Sequence, residues 1–232
     1  MMMKQLTERD FSASFENCLF HGPLRDVFQF SHVFQEVCCQ QGRVDLVATV
    51  GHIGTVSPLT AVSCGSSATV LSLLKPRAPR TQRYLIERTG LTATTVKKAL
   101  VRLENADLVI RTKSDLYLLA DCDAFLEEIW AFEVKINNWK RALFQAMQSR
   151  AFANYAIAVF PRNKTSVLLE HAPRFRSLRI GLMVYDASSD EYEFLVKPCK
   201  TKPFSKRHRL YAQGQLANRI IQDQPLNMLR VN

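Results

Sequence analysis

The sequence predicts an α/β fold in which a mixed sheet is flanked by helices and interrupted by a small inserted helical domain. Three observations carry this expectation. The stretches "EEIWAFEVKI", "NNWKRALFQAMQSRAFA" and "YAIAVFP" succeed one another as strand, capped helix and a nearly all-apolar strand suited to burial on both faces. That is the pattern of a parallel strand-helix-strand crossover. Upstream, "VFQEVCCQQGRVDLVATV" reads as a β-hairpin over 33–38 and 44–50, turned at "QQGR". Between the two, the texture changes at "VSPLTAVSCGSS" to small polar residues and then to short helical periods, returning to α/β only after residue 120. The expected domains are 1–55 with 121–232 for the sheet, and 56–120 for the insertion.

With 232 residues, 47% hydrophobic and 22% charged, the chain has material for one large core or two small ones. No apolar run approaches the roughly 18 residues of a membrane span, and the first residues lack a long apolar stretch with a cleavage site. A cytoplasmic protein without membrane contact is expected. The six cysteines include no C-x-x-C pair, which argues for reduced thiols and against a thiolate metal site. Lys plus Arg exceed Asp plus Glu by 31 to 21, a net charge of +10. Such an excess favours a polyanionic partner, with force only where the charge lies on a reading element.

Along the chain, Leu6, Phe11, Phe15, Cys18 and Leu19 are spaced for one amphipathic helix over 6–20, which "HGPL" interrupts. The hairpin follows, with Glu36 and Asp45 as its conspicuous acids. In the insertion, "SSATVLSLLK" is a helix capped by Ser66 or Ser67 and ended by "PRAP". "RTQRYLIERTG" and "LTATTVKKALVRLENADLV" supply two more helices, with Thr81 capping the first and Gly90 in the tight turn between them. "LVIRTKSDLYLLA" then makes a small hairpin. This helix-helix-helix-hairpin order resembles a winged helix-turn-helix domain. Its third helix would bury Val96, Leu100 and Leu103 and present Thr94, Thr95, Lys97, Lys98 and Arg102, hydroxyls and cations able to reach base edges and phosphates in a major groove. Lys113 would sit at the wing tip, and Arg80 and Arg83 add charge nearby. The competing reading is a solvated or protein-binding face. Past the crossover, "SLRIGLMVYD" and "EYEFLVKP" read as strands and "FSKRHRLYAQGQLANRIIQD" as a closing helix.

In "FEVK", Glu133 and Lys135 share one strand face while Phe132, Val134 and Ile136 take the other. Burying two charges is costly unless something satisfies them, and a divalent metal with a phosphate would. Asp45 in the upstream hairpin, Glu133-x-Lys135 on a later strand, a helix carrying "ALFQA" and the strand "YAIAVFP" together resemble the PD-(D/E)XK, or restriction-endonuclease-like, nuclease superfamily. The resemblance implies a restriction-endonuclease-like mixed sheet with the winged helix inserted. It further implies Asp45 and Glu133 as ligands of Mg²⁺, for which Mn²⁺ is a possible substitute, with the main-chain carbonyl of Val134 as a third. Glu36 would complete the acidic cluster, and Glu16 is a weaker candidate. Lys135 would orient or deprotonate the attacking water and offset phosphate charge, and Gln145 matches a glutamine common in related nucleases. The chain departs from the pattern in having Val44 where the family has proline, and in a long gap between Asp45 and Glu133 that the insertion accounts for. The bland alternatives are a Glu133–Lys135 salt bridge on a solvated face, Asp45 as a turn acid and Gln145 as an ordinary helix residue.

Finally, "KPCKTKPFSKRHR" places Lys202, Lys206, Arg207 and Arg209 around Phe204, a patch that would follow a phosphate backbone or else form a solvated loop. The expected function is a metal-dependent DNA endonuclease hydrolysing phosphodiester bonds, with the winged helix positioning duplex DNA. The alternative is a non-cleaving DNA-binding regulator or assembly factor on the same scaffold. One core carries one such site, which leaves nicking and double-strand cleavage by a homodimer both open.

Overall fold

The computed structural model describes residues 7–40, 42–51, 56–121, 125 and 128–223. The chain runs α1 (Glu8–His21), α2 (Pro23–Phe28), β1 (His32–Cys39), β2 (Gly42–Val50), a 3₁₀ turn (Ser57–Val62), α3 (Gly65–Leu73), β3 (Arg80–Thr81), α4 (Gln82–Thr89), α5 (Ala93–Glu104), β4 (Val109–Arg111) and β5 (Leu116–Leu119). It continues through β6 (Glu128–Val134), α6 (Trp139–Ser149), β7 (Tyr155–Pro161), a second 3₁₀ turn (Arg162–Lys164), α7 (Thr165–Ser177), β8 (Gly181–Tyr185), β9 (Tyr192–Val196) and α8 (Lys206–Asp223). Two compact units result: Met1–His52 with Glu127–Phe204, and Ile53–Leu126 with Ser205–Asn232. Among the described residues no helix is long and apolar enough to cross a membrane.

The first unit is a six-stranded mixed sheet in the order β1-β2-β6-β7-β8-β9, flanked by helices. β1, β2 and β6 pair antiparallel, β6, β7 and β8 pair parallel, and β9 returns antiparallel to β8. The parallel crossover through α6 is the one the sequence predicts. Thr7 starts α1, its Oγ1 accepting the Asp10 N–H at 3.1 Å, and Glu8 and Asp10 suit the positive helix end. Phe11, Phe15, Cys18 and Leu19 then recur on one face and bury against Phe132 and Tyr185 of the sheet. On the opposite sheet face Ala142 and Ala146 of α6 and Leu168, Ala172 and Phe175 of α7 cover Ala156, Ala158 and Leu182. Small alanines on both α6 and β7 let that helix lie close to the strand.

The second unit gathers α3, α4 and α5 around Leu71, Leu74, Leu85, Val96, Leu100 and Leu103. Thr81 Oγ1 caps α4 by accepting the Tyr84 N–H at 3.1 Å, and Gly90 ends the helix with φ 67°, a left-handed conformation that glycine adopts without strain. Thr92 caps α5 in the same way through Thr95. β4 and β5 form the expected hairpin, and β3 joins it as a third strand in the order β3-β5-β4.

Five elements differ from the sequence expectation. The segment 57–62, read as connection, is a 3₁₀ turn with Leu59 and Val62 fully buried. α3 begins after Cys64 rather than at a serine cap. α2 and α7 are additional; α7 escapes the pattern because it leaves Val167 and Leu169 exposed and contains Pro173. The closing helix α8, assigned with the sheet over 121–232, belongs instead to the second unit. Its Leu210 joins that unit's core, and its Gly214 backbone lies so close to Val62 and Ser63 that an added Cβ would meet Ser63 N at 2.3 Å. The distinction lies in Gly214 and its neighbours, since an apolar helix face alone does not say which core it seeks.

Candidate active site

Strand register brings the acids together. Leu46 of β2 lies opposite Phe132 of β6 in the last pair of their antiparallel ladder, and Asp45 and Glu133 follow directly beyond it, close enough for their carboxyls to interact. The pairing of Gln35 with Leu46 and of Val37 with Val44 places Glu36 of β1 at the level of Asp45. Asp45 Oδ2 accepts two hydrogen bonds, from the Val134 N–H at 2.9 Å and from Lys135 Nζ at 2.5 Å. Lys135 Nζ also donates to the Val134 carbonyl at 3.1 Å and lies 3.3 Å from Glu8 Oε1. Glu8, in the first turn of α1, is the carboxylate that sequence reasoning missed. The Thr7 cap places Glu8 in the first turn of the helix, but which strand end that turn crosses is set by packing.

The two charged groups of "FEVK" live differently. Burial alone would push the Lys135 pKa down, but the hydrogen bond and charge of Asp45, then the charges of Glu8 and Glu133, raise it, so the ammonium stays charged. Glu133 is 1% exposed, and its pKa is pushed up to about 8, first by burial and next by the Asp45 carboxylate. Its Oε2 has no hydrogen-bond partner, and neither has Oε1 of Gln145. Both residues line a cavity of about 110 Å³ together with Arg43 and Ser149. Gln145, expected beside the acids, is thus placed beside Glu133. A second, larger cleft of about 630 Å³ is lined by Glu8, Arg9, Gln35, Glu36, Asp45 and Val134.

Glu36 and Glu16 are drawn elsewhere. Glu36 has a positive φ of 48°, and its carboxylate, 66% exposed, pairs with Arg43 at 3.1 Å. Glu16 accepts from the Gln35 amide. Among the described residues no group of three His, Cys, Asp or Glu side chains is arranged to hold a metal ion. The donors on hand for a hard cation are the carboxylates of Asp45 and Glu133 and the carbonyl of Val134. All are oxygens, and a cation with few protein ligands keeps several waters. The unpartnered, buried Glu133 Oε2 and the like-charge conflict with Asp45 are what such a cation would relieve.

The predicted nucleic-acid contacts fall on both units. Thr94, Lys97, Lys98 and Arg102 line one outer face of α5 together with Val101 and Asn105. Thr95 is turned to the helix start, bonded to the Thr92 hydroxyl at 2.8 Å. Arg83 pairs with Glu87, Arg80 lies over the Tyr84 ring at 4.7 Å, and Lys113 is exposed in the β4–β5 turn. The basic stretch near the C-terminus divides: Lys202 lies in the sheet unit, and Lys206, Arg207 and Arg209 in the other. Lys206 has an internal task, donating to the Leu74 carbonyl at the end of α3 at 3.0 Å. Comparison with protein-family models, curated proteins and solved structures finds no match to this chain.

Proposed function

We propose that this chain is a Mg²⁺-dependent DNA endonuclease of the restriction-endonuclease-like kind, its sheet unit carrying the chemistry and its second unit acting as a winged helix that positions duplex. The observation that carries this reading is the meeting of the Asp45 and Glu133 carboxylates just beyond the last β2–β6 pair, with Lys135 Nζ 2.5 Å from Asp45. Residues distant in sequence converge as two acids and one ammonium, the combination that phosphodiester hydrolysis needs. Asp45, Glu133 and the Val134 carbonyl would hold the ion, which supplies Lewis-acid stabilisation of charge on phosphoryl oxygens. Lys135, kept charged by its acidic neighbours, would donate to a phosphate oxygen or to the attacking water and so offset the growing negative charge. Glu8 would hold that ammonium in place when Asp45 turns to the ion.

The α5 face suits the positioning role, because Lys97, Lys98 and Arg102 stand out from a helix anchored by Val96, Leu100 and Leu103. A second reading, a non-cleaving DNA-binding regulator, draws on the depth of Glu133 and on the ion pair that occupies Asp45.

Incubation with supercoiled plasmid in Mg²⁺, in Mn²⁺ and in EDTA, beside a Glu133→Gln variant, separates the two. A nuclease nicks in either metal and loses about 100-fold or more of its rate in the variant. Bound but uncut plasmid under all conditions makes the protein a regulator.

A further inference from the structure

Residues 139–179 contain eight Lys or Arg and a single acid, Glu170. Their surplus of seven makes up most of the chain's net charge of +10, and it lies on α6, α7 and the turns around them, in the sheet unit rather than on α5. Two of these cations have internal partners: Arg162 pairs with Glu191, and Arg150 donates to the Leu178 carbonyl at 2.8 Å. Lys140, Arg141, Arg174, Arg176 and Arg179 are exposed and form no ion pair among the described residues. Even Glu170, one helical turn from Arg174, does not draw it into an ion pair; the guanidinium lies instead 5.2 Å from the Trp139 ring centre. His171 stacks on the same ring at 3.9 Å, and Lys140 approaches it at 5.8 Å. Cations gathered on an aromatic face without an ion-pair partner repel one another, and a polyanion relieves that repulsion.

The cluster is anchored next to the carboxylate centre. Asn138 Oδ1 accepts the Arg141 N–H at 3.1 Å and starts α6 a few residues after Lys135. Phe144, 54% exposed, continues the face with an apolar contact. We propose that the α6–α7 face of the sheet unit is itself a nucleic-acid surface, on which Lys140, Arg141 and Arg174 bind the phosphate backbone of DNA while Trp139 holds their geometry. This rests on the reading of the partner as a polynucleotide, and it adds to that reading a contact surface independent of α5.

The test is binding of the full chain to a labelled DNA duplex in EDTA, followed across a salt series, with no dependence on cleavage. Relative to wild type, Lys140→Ala with Arg141→Ala and Arg174→Ala is expected to bind about tenfold more weakly, with a log–log salt slope shallower by about three. Arg174→Ala alone, which leaves α6 intact, lowers the slope by about one and keeps the test open should the triple variant fold poorly. Wild-type binding with an unchanged slope in both variants overturns the α6–α7 surface and leaves the proposed nuclease standing. A wild-type chain that binds neither duplex nor single strand at low salt overturns both.

Discussion

At the scale of single residues, Glu133 is the most exacting position in the molecule. A carboxyl that is almost fully buried, faces another carboxylate and has an unpartnered oxygen prefers to hold its proton. Its pKa is raised from 4.5 to about 8, so the folded chain binds a proton more tightly than the unfolded chain does. The resulting stability is complete below the unfolded value and is lost as pH rises through the folded one. Glu133→Gln, which cannot ionise, should therefore match wild type near pH 4 in metal-free buffer. By pH 9 it should be more stable, by about 2 kcal/mol once relaxation is allowed for. Thermal melts in EDTA at the two pH values check this, and a stability difference independent of pH would show that Glu133 ionises freely. The E-x-K spacing was legible in the sequence, as was Asp45. Glu8 was not, because nothing in a first-turn glutamate says which strand end its helix will cross.

At the scale of elements, most caps and apolar periods were readable, the start of α3 and the whole of α7 excepted, and the partners were not. Thr81, Gly90 and Asn138 do what their residue types predict: two accept a backbone N–H at a helix start and one turns the chain out of a helix. The destination of α8 was hidden, because it turns on one close approach. Gly214→Ala should destabilise the second unit by about 1–3 kcal/mol, since the new methyl would press on backbone at Val62 and Ser63 rather than on a yielding side chain. Denaturant unfolding followed by a probe in α3–α5 measures it, and an unperturbed midpoint would mean that the helix shifts without cost. α5 carries its own prediction. Lys97→Ala with Lys98→Ala should weaken duplex binding across sequences and reduce the salt slope by about two. A slope unchanged from wild type would give that face to a protein partner.

For the whole molecule, the decisive feature is where the insertion enters. Val50 and Glu128 are cross-strand partners, so the chain leaves and rejoins the sheet at one hairpin end. Replacing residues 51–127 with a two-residue Asn-Gly turn and ending the chain at Phe204 should leave a sheet unit that melts cooperatively. Retaining residues 205–223 in that variant should cause aggregation, because Leu210, Leu216, Ala217 and Ile220 would lose the core they bury against. Calorimetry and light scattering on the two variants decide the matter; a non-cooperative melt of the shorter one would show that the sheet needs the insertion to fold. The sequence by itself determined the α/β class, the hairpin and crossover, the helical insertion and the catalytic candidates on β2 and β6, since periodicity and capping are local properties of the chain. Only the tertiary structure decided that the Asp45 and Glu133 carboxyls meet, that Lys135 reaches Asp45 and Glu8, that α8 joins the insertion and that surplus charge collects on α6 and α7. Those outcomes depend on strand register and on which faces meet, and a shift of one residue in either would separate the same side chains.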